Sequence, residues 1–344
     1  MNGKAGKLLL GVALGVMLTV GPAAAQQSSP QHKWKMMSLW QSGTVSQKIF
    51  EDFTKRVKEM SNGRLEIEPL PAGAIVAATE SLDAVSSGVL EAQHGGTTYW
   101  TGKDAAFALL GDLQGGYENP YQMEQWLEYG GGKEIVRDVY KKYNVYFVGG
   151  VWWGVESLPS KKPIRTIEEF KGVKLRAPAG IGQDIFKLIG AAPVNMPGSE
   201  VYTALERGVI DATDWGTLSL NEDLGYHKIA KYPLYPGFHS MPMADVAVNM
   251  AKWNALSPDL KAIVEVATRD FARDMIQRLA LEDEKVAKNA KAEGIELVNW
   301  SAEDRKKFRA VAVKVWEDYA KRSDNARKVY ESQVAFMKGL GLLD

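Results

Sequence analysis

The sequence contains no cysteine. That excludes disulfides, thiolate metal sites and thiol nucleophiles, so stability must come from the core. It also lacks a charge excess: Lys plus Arg and Asp plus Glu both number 42, for a formal net charge of zero. A nucleic-acid binder would show a basic excess or stripe, and none is visible. Histidine is scarce, with four at positions 32, 94, 227 and 239, and no HExxH or paired metal spacing. GxSxG, the P-loop and a GxGxxG following a strand are all missing. The glycine clusters at 95–96, 115–116 and 130–132 read as turns. These absences lower the expectation of catalysis without excluding it. Beyond the first segment, no uncharged apolar run reaches the roughly 20 residues that span a bilayer.

What is present begins with MNGKAGKLLLGVALGVMLTVGPAAA, residues 1–25. Lys4 and Lys7 precede an apolar run from Leu8 to Val20, and Ala23, Ala24 and Ala25 form a small-residue cleavage pattern. This is the layout of a bacterial secretory signal peptide, cut after about Ala25. The run is too short for a membrane anchor and leads into a cleavage site. A soluble mature protein, exported to the periplasm, is the expectation.

A chain of 344 residues predicts about two domains. Strand-like alternation in WKMMSLW (34–40), RLEIEPL (64–70) and VLEAQHG (89–95) is interleaved with helical periodicity over 45–60 and 80–88. That β-α-β-α-β order implies parallel strands with right-handed crossovers. The pattern returns downstream. Strands are expected at VYFVGGVWW (145–153), GVKLRAP (172–178), APVNM (192–196) and VIDATDW (209–215). Short helices are expected at 182–190 and 199–208, with Ser199 as a candidate N-cap. HSMPMADVAVNM (239–250) alternates again and is expected to return the chain to the first unit. The units are therefore 33–150 with about 239–257, and 151–238. Ser257-Pro258 opens a helix that runs to about Glu293, on the order of 50 Å. Such a helix must cross both units or reach into a partner chain. A further helix starts at Ser301, with Asp304 completing an approximate capping box.

Candidate site residues sit where strands end. In FKGVKLRAPAG (170–180), Val173, Leu175 and Ala177 alternate with Lys174 and Arg176, and Pro178 stops the strand. Arg176 thus stands at the carboxyl end of a strand, where open α/β sheets bind ligands. Its planar fork suits a carboxylate, although strand-end arginines are common. Asp214 and Trp215 end the next-but-one strand of the same unit and would flank the same crevice, or else serve a turn and the core. Asp211 faces the other way and is expected to be structural. Trp152 and Trp153 point to opposite faces, so one is core and one can line a cleft. Glu156, Tyr99, Trp100 and Trp40 are further candidates, each equally readable as surface or packing. So many aromatics suggest room for a ring or a longer acyl chain.

Taken together, these residues resemble the solute-binding proteins of TRAP (tripartite ATP-independent periplasmic) transporters, over essentially the whole mature chain. FKGVKLRAP and EVYTALERGVIDATDW resemble the family's two most characteristic stretches. LPAGAIV, LDAVSSGVLEAQHG and YHKIAKYPLYPG resemble the subgroup that carries 2-oxo acids and related organic or aromatic acids. The resemblance implies an α/β, two-lobed periplasmic-binding-protein-like fold, with long C-terminal helices (258–344) crossing both lobes. It implies that Arg176 is the carboxylate clamp. Trp215, Glu156, Trp153, Tyr99, Trp100 and Trp40 are then expected around a small organic anion. It further implies a cation site from Asp214, the Trp215 backbone and Glu156. Trp215 matches the family's Trp, but Asp214 and Glu156 depart from it, since the family has Glu at 214 and Gln at 156. Two carboxylates would favour Ca²⁺ over Na⁺. Alternatively, Glu156 receives a ligand amine or hydroxyl with no metal. The implied partners are separate membrane permease subunits and a second copy of the chain, since the long helix can pair or swap in this subgroup. Open alternatives are a binder of zwitterionic or uncharged solutes, a sensor, and an enzyme acting on a carboxylic acid.

Overall fold

In the computed structural model, which describes residues 1–3, 30–196 and 198–343, the first strand begins at His32. The expected signal peptide falls outside the described residues, apart from residues 1–3. β1 (His32–Ser38), α1 (Val45–Met60), β2 (Leu65–Leu70), α2 (Ser81–Ser87) and β3 (Ala92–His94) follow in the expected order. The Thr44 side chain caps α1 by accepting from the Gln47 amide. The same helix buries Ile49, Phe50, Phe53 and Val57. Asn62 and Gly63, both at positive φ, turn the chain after it. β1 lies parallel between β2 and β3. α3 (Ala106–Gly111), α4 (Pro120–Tyr129) and α5 (Gly132–Lys141) lead into β4 (Val145–Trp152).

The second sheet is smaller. β5 (Lys174–Arg176), β6 (Ala192–Val194) and β7 (Ala212–Thr213) pair in parallel in the order β6-β5-β7. α6 (Ile181–Leu188), α7 (Val201–Glu206) and α8 (Leu218–Asp223) connect or follow them. Ser199 does not cap α7: a 3₁₀ turn over Gly198–Glu200 runs directly into the helix, so the cap position shifts to Glu200 without a side-chain bond. After this sheet β8 (Met243–Asn249), buried along its whole length, returns to the first one. It enters between β3 and β4, antiparallel to both, giving the order β2-β1-β3-β8-β4.

Two outgoing and returning segments connect the sheets, and they run close together. The Glu156 amide donates to Ser240 O (2.9 Å) and the Leu234 amide to Leu158 O (3.0 Å). Gly237 sits so near that a Cβ there would lie 1.9 Å from the Glu156 carbonyl oxygen. After α9 (Met250–Asn254), α10 (Pro258–Asn289) runs for 32 residues, about 48 Å. It ends four residues before the expected limit. It packs against α1 and β4 of the first sheet and against α8, which follows the second, so it braces both sheets. α11 (Ala302–Ala320) is capped by Ser301 and packs on α3 and α6, which belong to different sheets; α12 (Asp324–Gly339) lies on α3, α5 and α11.

Gly237→Ala should therefore cost more than about 3 kcal/mol of unfolding free energy, because the clash is with backbone and cannot be relieved by a rotamer change. Urea denaturation measures this. A loss under about 1 kcal/mol would show that the two connections are not held this close.

Candidate functional site

Strand ends converge on one small cavity of about 40 Å³. Leu39 and Trp40 follow β1; Gly96, Thr98 and Tyr99 follow β3; Trp153 and Glu156 follow β4. Arg176 ends β5, Trp215 follows β7, and Ser240 precedes β8. Every parallel strand except the peripheral β2 and β6 thus sends residues to the same space, as open α/β sheets do. The volume admits only a few water-sized spheres. The expectation of room for a ring or long acyl chain is not met in this conformation, because the aromatic side chains fill the space themselves.

Arg176 is 2% exposed. Its Nε donates to Met196 O (3.1 Å), Nη1 donates to Asp214 O (2.5 Å), and the guanidinium carbon lies 4.9 Å from the Trp215 ring. Only two of its N–H groups are used, both on neutral carbonyls. Among the described residues, no carboxylate oxygen lies within 4.0 Å of this always-charged group. Trp215 is fixed in turn by Gly198, where a Cβ would come within 2.4 Å of the indole.

Facing this cation is a set of buried acids. Glu156 Oε1 accepts from the Gly216 amide (2.7 Å) and Trp153 Nε1 (3.1 Å). Ser240 Oγ lies 2.9 Å from Glu156 Oε2 and 2.6 Å from Asp112 Oδ2. One hydroxyl has one proton and cannot donate to both, so a carboxyl in this chain must itself hold a proton. Burial, then the charges of Asp214 and Asp112, push Glu156 well above the usual carboxylate range. Burial, with the Asp214 charge adding to it, raises Asp112 to about 7. Asp214 is equally buried, which works to raise it, but His239, Arg176 and Glu156 together hold it below the usual value. Its Oδ1 meets His239 Nε2 at 2.9 Å and its Oδ2 accepts from Gln114 Nε2 at 3.2 Å.

Glu156, Asp214 and His239 each offer a ligand atom within 4.8 Å of the others. Among the described residues no hydrogen bond reaches the Trp215 carbonyl. This oxygen-rich set fits a hard cation: a positive charge there would do what the shared proton does now, neutralising crowded carboxyls.

The structure thus brings Arg176, Trp215, Glu156, Trp153, Tyr99 and Trp40 to the cavity, with Asp214 immediately behind it. Trp100 is not in the lining. It is 1% exposed and packs edge-on against Phe107 and Tyr140, because the 3₁₀ turn at Thr97–Trp100 points it inward. Asp112, Gln114, His239 and Ser240 were not anticipated. They fall in two stretches far apart in the chain, 112–114 and 239–240, and only the return of residues 239–243 brings them together.

Trp40 is oriented by His94. Indole Nε1 can only donate, and it meets His94 Nε2 at 3.0 Å, so that nitrogen accepts. The proton is then on Nδ1, donated to the Asp245 carbonyl at 2.9 Å. Burial lowers His94 to about 4, keeping the ring neutral. Trp40 in turn meets Trp153 edge-on at 4.8 Å.

The family model described as bacterial extracellular solute-binding protein, family 7, matches residues 36–322. The chain belongs to this family. Among curated relatives, this family 7 protein is 32% identical to the monocarboxylate 2-oxoacid-binding periplasmic protein of Nostoc sp., over 92% of this chain and 87% of that one. Three TRAP periplasmic solute-binding proteins of known structure share its two-lobed fold. An apo, open structure from Rhodobacter sphaeroides is 40% identical, with a TM-score of 0.75, covering 90% of this chain and 99% of that one. One from Pseudoalteromonas atlantica with sodium and pyruvate is 29% identical, TM-score 0.81, coverage 90% and 94%. One from Colwellia psychrerythraea with calcium and pyruvate is 28% identical, TM-score 0.82, coverage 90% and 95%. The family 7 chain therefore agrees better in shape with two ligand-bound relatives than with an open one of higher identity, in keeping with its small cavity.

The buried His94 gives a signed pH prediction. The unfolded chain binds a proton below about pH 6.5, while the native ring binds one only near 4. Stability contributed here falls as pH drops through that window, by about 2 kcal/mol between pH 7 and pH 5. His94→Gln keeps an acceptor for Trp40 and a donor for Asp245 but binds no proton. The difference in unfolding free energy between wild type and His94→Gln should shift by that amount across the window; a flat difference contradicts the assignment.

Proposed function

We propose that the protein captures a small monocarboxylate of the 2-oxo acid class between its two lobes and delivers it to a separate membrane permease. The observation that carries this reading is the buried guanidinium of Arg176, with no carboxylate in contact, in a small cavity walled by aromatic side chains. A buried cation without a counter-ion is costly, and a carboxylate guest supplies the missing charge with two parallel hydrogen bonds. Trp40, Trp153, Tyr99 and Trp215 form apolar walls around the acyl part, and their close packing selects short chains. The Nostoc relative's 2-oxoacid name and the pyruvate in two relatives support the class.

Glu156, Asp214 and the Trp215 carbonyl would hold a cation beside the guest, with His239 bonded to Asp214. Bound there, the cation supplies positive charge to a 2-oxo acid's oxygens. Two carboxylates rather than one favour Ca²⁺ over Na⁺. Because burial and the charges of Asp214 and Asp112 raise Glu156 well above the usual carboxylate range, cation affinity should rise with pH. The lobes take up 33–150 with 239–257, and 151–238. Export through the segment 1–25 places the protein in the periplasm, and α10 offers a surface for a second copy. The two lobes closed on a guest present the permease with a surface that the open form lacks.

Titration calorimetry with pyruvate and Ca²⁺ tests both parts. Arg176→Ala should weaken binding at least about 100-fold, since charge-assisted bonds contribute about 1.5–3 kcal/mol each. Arg176→Lys, which keeps the charge but not the fork, should lose at least about 10-fold. An unchanged affinity in either variant refutes the clamp. Glu156→Gln with Asp214→Asn should abolish any response to Ca²⁺ or chelator. Wild-type affinity indifferent to chelation refutes the cation.

A further inference from the structure

A second cavity of about 680 Å³ shares a wall with the first. Three stretches of chain, the two that connect the sheets and the one between α3 and α4, contribute neighbouring residues to the two spaces. Val155 lines the second cavity and Glu156 the first; Met241 lines the second and Ser240 the first; Gly115 and Tyr117 line the second and Asp112 the first. The remaining wall comes from α11 and the chain end at Leu342 and Leu343.

Its chemistry is one-sided. Arg305, Lys306 and Arg309 of α11 line it, against Glu118 as its single lining carboxylate. Arg305 bonds to the Trp300 carbonyl and the Asn299 amide oxygen, and Arg309 to the Gly115 and Leu342 carbonyls. Among the described residues, none of the three cations is within 4.0 Å of a carboxylate. Ala302, the first residue of the 19-residue α11, also lines the space, so the positive end of that helix faces it. The floor is apolar, with Phe238, Met241 and Val313. Tyr117 is 3% exposed, and its hydroxyl is buried without a hydrogen-bond partner. A buried hydroxyl left unpaired in a native fold calls for an acceptor.

We infer that this groove is a second binding site, for an amphipathic organic anion: a carboxylate set among Arg305, Lys306, Arg309 and the Tyr117 hydroxyl, with an alkyl or aryl body on Phe238, Met241 and Val313. It goes beyond the solute site and does not depend on it. Its occupant would contact all three segments that carry Asp112, Glu156 and Ser240, and so would brace the wall behind the solute.

The probe is octanoate, titrated calorimetrically into the full chain carrying Arg176→Ala, so that the solute cavity cannot account for the signal through its guanidinium. One octanoate should bind. Lys306→Glu, an exposed position whose change leaves the fold intact, should weaken it at least 10-fold. Tyr117→Phe should weaken it about 3- to 10-fold, and uncharged octanol should bind at least 10-fold more weakly than octanoate. Thermal midpoints within a few degrees of the parent confirm folding. No binding to the Arg176→Ala protein overturns the site. Binding that ignores both Lys306→Glu and Tyr117→Phe overturns it as well, and would instead place octanoate in the solute cavity. If binding appears only in a chain lacking Asp344, the chain's own end fills the groove and the inference is wrong.

Discussion

A guanidinium cannot shed its proton, so burying one without a counter-ion imposes a cost that the rest of the fold must carry. Arg176 is close to that position: no carboxylate touches it, and Asp214 acts on it only through space. Two backbone carbonyls and the face of Trp215 hold it, and these neutral partners leave its charge to be met by something from outside. The second sheet is built around this placement. β5 carries the arginine, β7 lies beside it and delivers Asp214 and Trp215, and Gly198 leaves the gap into which the indole fits.

The acids opposite are the other half of the same constraint. Asp112, Glu156 and Asp214 crowd into one region without three free negative charges, because a shared proton and His239 relieve the repulsion. A protein that needed only stability would replace such a cluster with hydrocarbon. Retaining it makes sense if a cation and an anionic guest arrive together. Glu156 and Ser240 lie on the two connections between the sheets, whereas Asp112 follows α3 and Asp214 follows β7, so the cluster joins both sheets and the segments that link them.

Much of this was legible in the sequence, because it depends on local pattern. Period-two alternation located β1, β5 and β8, and Pro178 marked Arg176 as a strand end. Trp152 and Trp153 divided as alternation requires: Trp153 reaches the cavity, while Trp152 packs near Gly150 in the core. The family 7 membership confirms what FKGVKLRAP and the ATDW stretch suggested. What could not be read was tertiary. His239 has no spacing relation to Asp214, and their contact exists because β8 returns to the first sheet. Trp100 looked like its neighbour Tyr99, but a 3₁₀ turn rotates successive side chains by about 120°, sending one to the cavity and the other to the core. The size of the cavity depends on packing between elements that no local period encodes.

A crystal structure of the protein grown with pyruvate and Ca²⁺ tests the central claim most directly. The account predicts the pyruvate carboxylate within about 3 Å of the Arg176 guanidinium nitrogens, and an anomalous calcium peak between Glu156 and Asp214. Pyruvate bound elsewhere, with Arg176 turned away from it, would contradict it.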